Sequence, residues 1–459
     1  MVSRSLFSDS FYDLYDGRYI ASHGIPHRNV WTVASHGAAW IDQQWLAHLI
    51  FYGAWSVGGY PGLALLSASL VTAGFAMLAL LMLRRGVPPT RMFAWTMVAF
   101  AVCLGNTVVR AQSFGYLFLG LLLWLLVTDN EMRRLRARTF LVVPVLALWA
   151  NTHGTVLLGA GLVVLYAGYR IARALASRDV RSIPLTVVLA VVAVGSVACT
   201  PYGPGVATYY RELLSDSVLS RYIMEWAPPS IAFPLSWAFF ALLAMTIVSA
   251  GVAWRRSVRP DTVLAGLAVV LLGLALTGVR YQAWFGLGGS LFAADTLARA
   301  HPGVSALSAR FSRATAAMLA MAAAVSLVAL AVTPANVFES GIPVRALNVA
   351  ASIAARNPTL RVIGDDWSDT PMLWLHPAMA GRVGFDIREE QYSRAQLIAY
   401  FDFVLMIGPR WQRVTRGYDI IVASRQHYPA LCAALVHLPG WRVALDDRAG
   451  VVLVRRSTR

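Results

Sequence analysis

Between residues 62 and 333 the chain is a succession of apolar runs separated by short, arginine-bearing loops. About 20 apolar residues cross a bilayer as a helix, and in lipid only helices and closed barrels satisfy their own backbone. This pattern therefore restricts the fold to a bundle of spanning helices. Ten spans are expected, at 62–83, 92–109, 113–128, 139–150, 154–172, 184–199, 232–253, 262–278, 282–297 and 314–333. The composition agrees: 58% of 459 residues are hydrophobic and 14% charged, where soluble domains carry nearer a quarter charged.

Lysine is absent, so the net charge of +16 is arginine charge. In a soluble chain that excess would suggest nucleic acid. Here the arginines cluster in alternate loops, as the positive-inside rule requires, and no nucleic-acid partner is expected. The loops 84–91, 129–138, 169–182, 253–261 and 298–313 hold seventeen arginines, against four in 110–112, 151–153, 200–231 and 279–281. The first set is assigned to the cytoplasm and the second to the outside. Residues 1–61 and 334–459 then also lie outside. The polar N-terminal region follows no apolar helix in this sequence, which leads us to expect a further span ahead of Met1, with N-out insertion as the alternative. Cys103, Cys199 and Cys432 form neither a disulfide framework nor a zinc signature.

Three regions follow: an N-terminal extracytoplasmic loop with interfacial helices (1–61), a transmembrane domain (62–333) and a small extracytoplasmic α/β domain (334–459). Residues 8–20 have helical spacing, with Asp9, Asp13 and Asp16 on one face and Tyr12, Tyr15 and Tyr19 on another. The acidic face is either a solvated stripe or a carboxylate held over a pocket. A second interfacial or re-entrant helix is expected in "WIDQQWLAHLIFYGAW", and a short amphipathic helix in 200–231. In the tail, "TLRVIGDD", "GRVGFD", "YDIIVAS" and "AGVVLVRR" read as strands. "VRALNVAASIAARN", "SRAQLIAYFDFVLMIG" and "HYPALCAALVHLPG" read as helices. "GDDWSD" at 364–369 reads as a turn after a strand.

Polar groups gather at the outer ends of the expected spans: Asp9 and Asp13, Arg110 and Gln112, Asn151 and His153, Glu225, and Arg280 with Tyr281 and Gln282. Arg110 and Arg280 lie outside against the charge bias. Each needs a carboxylate, such as Asp9 or Glu225, or a phosphate, which guanidinium grips through paired hydrogen bonds. A lone His153 suits a satisfied buried imidazole, a metal ligand or a phosphate contact. Ionisable residues are nearly absent from the middles of the spans, which weighs against a transporter.

The motif order is D-x₇-G-R-x-I-x₃-G-x-P (Asp9 to Pro26), W-x-D-x-Q-W-L (Trp40 to Leu46), "RAQ", "WANTHG", "PYG…EW" and an outer arginine before a late span. In this order the chain resembles bacterial multi-span proteins related to the GT-C superfamily of glycosyltransferases, which includes protein mannosyltransferases and lipid A aminoarabinose transferases. The resemblance covers residues 1–300 and more loosely the tail. It implies an α-helical polytopic protein of the bacterial cytoplasmic (inner) membrane with a C-terminal extracytoplasmic α/β domain. It also implies a polyprenyl-phosphate sugar as donor and a glycan, lipid or protein as acceptor. Asp9, at the matching position, would be the general base, with Arg110 and Arg280 on the leaving phosphate and His153 and Glu225 lining the pocket. The next carboxylate is Asp13 rather than an adjacent acid, so no metal is assigned, although Asp9 and Asp13 could share a divalent cation. A non-enzymatic envelope scaffold, and less strongly a lipid or solute transporter, stand as alternatives.

Overall fold

The structure, a computed structural model, describes residues 6–131, 135–215, 217–301, 325 and 328–456. The chain opens with α1 (Ser8–His23) and a loop that leads into α2 (Trp45–Arg84). Then come α3 (Pro89–Cys103), α4 (Ser113–Asn130), α5 (Val142–Ala150), α6 (Val156–Ala176) and α7 (Ile183–Ser196). The short helices α8 (Val206–Ser215) and α9 (Ser217–Tyr222) fill the long loop, as expected. The bundle continues with α10 (Trp237–Arg255), α11 (Thr262–Ala275) and α12 (Gln282–Ala300). Helices therefore stand where nine of the ten spans were expected. Most of the tenth, 314–333, falls outside the described residues, which include only 325 and 328–333 of it. Among the described residues four helices could cross a membrane by length and composition (Trp45–Arg84, Ser113–Asn130, Val156–Ala176 and Pro234–Arg255), and shorter apolar helices accompany them.

The interfacial helix expected near residue 50 is not separate from the first span. It runs into it as α2, bent where Gly59 takes φ 59° and Pro61 follows. Proline removes a backbone donor and clashes with the preceding turn, so the helix kinks there. The first limb of α2 lies along α1 and the second enters the bundle against α4. Small residues permit the close approaches: a Cβ on Gly74 would meet the Tyr116 carbonyl at 2.4 Å. Buried from Gln282 to Thr296, α12 is the central helix, packed among α3, α10 and α11.

The two classes of loop segregate to opposite ends of the bundle. At one end Arg85 binds Asp295 at 2.9 Å and Asp261 at 2.8 Å, Arg84 binds Glu131 at 2.8 Å, and Arg299 binds Asp295 at 2.8 Å. These pairs join four of the arginine-rich segments. Arg110, His153, Glu225 and Arg280, from the arginine-poor loops, collect elsewhere around one cavity.

The tail forms a four-stranded sheet of order β1-β2-β4-β3. Its strands are β1 (Val362–Gly364), β2 (Ile420–Ser424), β3 (Trp441–Asp446) and β4 (Gly450–Arg455). β1 and β2 are parallel and the other pairs antiparallel. Helices α13 (Val344–Ala355), α14 (Asp366–Leu375), α15 (Arg394–Leu405) and α16 (Pro429–Leu435) surround it. Two expectations are corrected here. "GRVGFD" is no strand; Val383 makes only isolated bridges, to Thr32 and Val362. "GDDWSD" is not a plain turn, since Asp366 and Asp369 occupy the first turn of α14, where the helix dipole favours carboxylates.

The acidic stripe of α1 is not solvated, because Asp13 and Asp16 are buried together with Tyr12 and Tyr15. α1 is wedged between α2 and α14, and the tail shares one continuous apolar core with the bundle. Gly17 makes the α1–α2 contact possible, because a Cβ there would stand 2.1 Å from the His48 carbonyl oxygen. Gly17→Ala must push α1 off α2. The expected cost is about 1–3 kcal/mol, as for overpacking elsewhere, read as a lowered Tm of the purified protein. An unchanged Tm would mean that the two backbones are not so close.

Candidate active site

α1, the loops that end α3, α5 and α9, the start of α12 and the tail enclose one cavity of about 720 Å³. Eight of the ten residues singled out from sequence line it: Asp9, Asp13, Arg110, Gln112, His153, Glu225, Arg280 and Tyr281. Gln282 does not, its amide instead donating to Ser236 Oγ at 2.9 Å, and neither does Asn151. Its carbonyl accepts from Trp45 Nε1 at 2.8 Å, and its amide donates to the Ala147 and Cys199 carbonyls at 2.8 and 2.7 Å. Asn151 is a stitch between the end of α5, the start of α2 and the end of α7.

The two outer arginines differ. Arg110 Nη1 donates to both oxygens of Glu225, at 3.2 and 3.1 Å, and Nη2 donates to Asn106 Oδ1 at 3.1 Å. Its charge is thus largely matched, although Nε, which is buried, has no partner among the described residues. Arg280 lies with its guanidinium 4.1 Å from the Trp226 ring centroid and 5.9 Å from that of Tyr281. It makes no ion pair with a described carboxylate. Stacking fixes the plane of a guanidinium while leaving its N–H groups free.

Burial alone would raise the Glu225 carboxyl, but Arg110 and Arg280 more than offset it and hold the group below its usual value. For His153, burial and the two arginines act together to push the imidazole well below its usual range, so it is neutral. Its Nδ1 accepts the Thr155 backbone N–H at 3.2 Å and meets Thr155 Oγ1 at 2.9 Å, which places the ring proton on Nε2.

Asp9 moves the other way. Burial raises its carboxyl; Arg110 and Arg280 lower it and Glu225 raises it, and the net direction is up. A base acts only when deprotonated, so the acid limb of any Asp9-dependent rate lies above the ordinary aspartate value near 3.9. Glu225→Gln removes a negative neighbour and is expected to move that limb to lower pH. A kcat/KM profile of the two proteins checks this, and an unmoved or rising limb would remove Asp9 from the titration.

Several groups around the cavity lack partners among the described residues: Tyr12 Oη, Gln43 Nε2, Gln112 Oε1 and Trp284 Nε1. The tail supplies the rest of the wall, including Asp366, Arg388, Glu389 and Glu390. Sequence reasoning read Asp366 as part of a turn and passed over the other three. Glu389 and Glu390 sit in the turn "DIREEQY", where adjacent acids look like solvated loop charges. Arg388 anchors that turn: it is 1% exposed, reaches Asn29 Oδ1 at 3.0 Å and lies over Trp31 and Trp40. On one flank the wall is apolar, with Leu157, Leu158 and Leu165 of α6 facing Val270 and Leu274 of α11. Gly161 lies in that row, and a Cβ there would meet nothing within 4 Å. The polar chamber is thus continuous with a greasy slot between two bundle helices.

The fold of this chain is shared with solved structures of low sequence identity. ArnT from Cupriavidus metallidurans, solved bound to undecaprenyl phosphate, is similar over 100% of this chain and 95% of its own, with a TM-score of 0.53 at 14% identity. The archaeal oligosaccharyltransferase AglB from Archaeoglobus fulgidus, in complex with an inhibitory peptide and a dolichol-phosphate, is similar over 93% of this chain and 67% of its own, with a TM-score of 0.51 at 13% identity. An oligosaccharyltransferase from the same organism, tethered to an acceptor peptide, is similar over 99% of this chain and 70% of its own, with a TM-score of 0.52 at 13% identity. No protein-family model matches the sequence, and no curated protein does.

Proposed function

We propose that this protein is a membrane glycosyltransferase that moves a sugar from a polyprenyl-phosphate donor to an extracytoplasmic acceptor. The observation that carries the reading is the continuity of the polar chamber with the apolar slot between α6 and α11. A prenyl phosphate has that same division, a charged head joined to a hydrocarbon chain. With the tail in the slot, the head meets Arg280. The two compared structures bind undecaprenyl phosphate and dolichol-phosphate, and share the fold.

In this reading the acceptor hydroxyl attacks the anomeric carbon and gives its proton to Asp9. The bond from that carbon to the phosphate oxygen breaks, and the electron pair leaves with the prenyl phosphate. Arg280, free of a carboxylate, takes most of the developing charge, and Arg110 contributes through the groups that Glu225 leaves unmatched. His153 donates from Nε2, and Gln43, Gln112 and Tyr12 orient hydroxyls. The arginine-poor end of the bundle and the tail face outside, with the arginine-rich end in the cytoplasm of a bacterium.

Purified protein in lipid nanodiscs is offered radiolabelled polyprenyl-phosphate hexose, pentose and N-acetylhexosamine. Binding of at least one donor, with transfer or slow hydrolysis, is the expected result. Failure to bind or turn over any of them would remove the proposal. A scaffold protein would bind none and would tolerate replacement of Asp9 and Arg280.

A further inference from the structure

Behind the chamber wall, three residues from separate segments converge. They are Asp16 of α1, Asp42 of the connecting loop and His48 of the first limb of α2, each with a side chain 0% exposed. His48 Nδ1 stands 3.1 Å from Asp16 Oδ2 and 3.4 Å from Asp42 Oδ2. Neither contact has hydrogen-bond geometry. Both oxygens of Asp16, Oδ2 of Asp42 and both ring nitrogens of His48 lack a hydrogen-bond partner among the described residues. Buried carboxylates in native proteins have hydrogen bonds, an opposite charge or a metal. One N–H cannot point at two oxygens that flank it, so a protonated imidazole satisfies at most one of the two.

We propose that Asp16, Asp42 and His48 bind a divalent transition-metal ion of the zinc type, through one carboxylate oxygen each and His48 Nδ1. Each residue offers one ligand atom, and these atoms lie within 4.8 Å of one another. Zinc bonds of about 2.0–2.1 Å to nitrogen and oxygen place tetrahedral ligand atoms roughly 3.3–3.4 Å apart; the 3.4 Å contact matches that edge and the 3.1 Å contact is slightly shorter. The far side of the ring supports the assignment. His48 Nε2 is 3.3 Å from Asp13 Oδ1, short of hydrogen-bond geometry, but the nearby carboxylate favours the ring proton on Nε2 and leaves the Nδ1 lone pair for a metal. Ligating histidines commonly face a carboxylate on that far side. Two ligand carboxylates balance a divalent charge, and an imidazole in a set of three disfavours calcium and magnesium.

The ion would not act on the sugar. It would tie α1 to the loop and to α2, and hold the helix that presents Asp9 and Asp13 to the chamber. The site is independent of what the chamber transfers.

Full-length protein, purified in detergent without added metal or chelator, is assayed for bound metals by elemental analysis. It is then stripped with dipicolinate and titrated with ZnCl₂ and CoCl₂. Expected are about one zinc per chain, a Tm that falls on stripping and returns with zinc, and visible cobalt bands of a nitrogen- and oxygen-ligated tetrahedral site. Asp42→Asn and His48→Gln should lose the metal, whereas Asp9→Asn should keep it. If the His48 variant fails to fold, the cobalt spectrum and Tm of the wild-type chain decide. Absence of bound metal, with no saturable zinc or cobalt binding at micromolar concentration, would overturn the proposal. So would cobalt bands that survive unchanged in both variants.

Discussion

Asp9→Asn is expected to lower sugar transfer by about 10²–10⁴-fold, the range for loss of a general base, while donor binding stays within a few-fold of wild type. Asparagine keeps the shape and a carbonyl but cannot accept the acceptor's proton. Three features support Asp9 as the proposed base. It lines the chamber, its carboxyl is raised toward the working range by burial, and it is one turn before Asp13, whose Oδ1 is turned to His48. The readout is single-turnover transfer from a radiolabelled donor, with donor Kd measured separately. Equal transfer by both proteins would dismiss Asp9 as base, and loss of donor binding would make it a binding residue instead.

The second large effect is expected at Arg280. Removing a positive group aimed at a leaving oxyanion costs on the order of 10²–10³-fold, so Arg280→Ala should fall that far in kcat. Arg280→Lys should recover part of the charge but not the stacking on Trp226. Arg110 should behave differently, because it is already paired with Glu225. Arg110→Ala leaves a carboxylate uncompensated beside the phosphate, and is expected to be worse than the Arg110→Ala/Glu225→Ala double variant. The cycle of four proteins gives the coupling directly. If the double variant is the poorer enzyme, Glu225 has a positive role of its own and the phosphate assignment must be redrawn.

The bundle was legible because its signal is long and redundant: each apolar run through residue 297 coincides with a helix within a few residues. Loop charge also separated the two ends correctly, since the arginine-rich segments meet through Arg85, Asp261 and Asp295. The site was legible where a residue broke an expectation, as Arg110 and Arg280 did. It was hidden where partners lie far apart in the chain. Nothing local in Asp42 or His48 announces that both face Asp16, and Arg388 meets Asn29 from 359 positions away. Asn151 was misplaced because an amide beside His153 looks the same whether it faces a cavity or a backbone carbonyl. β3 was missed because most of its side chains are exposed or only half-buried, so it lacks the apolar alternation that marked β4. The kink in α2 joined two segments that composition had divided, one amphipathic and one greasy.

The chamber takes its walls from both sides of the bundle along the chain: Asp9 and Asp13 come from α1, ahead of it, and Asp366, Glu389 and Glu390 from beyond it. A ribosome delivers these parts in order, so α1 must wait, its carboxylates uncovered, until the tail has been made. The chamber is therefore incomplete until the tail has followed the bundle. Any truncation before the sheet leaves a membrane bundle with an open, unroofed hollow.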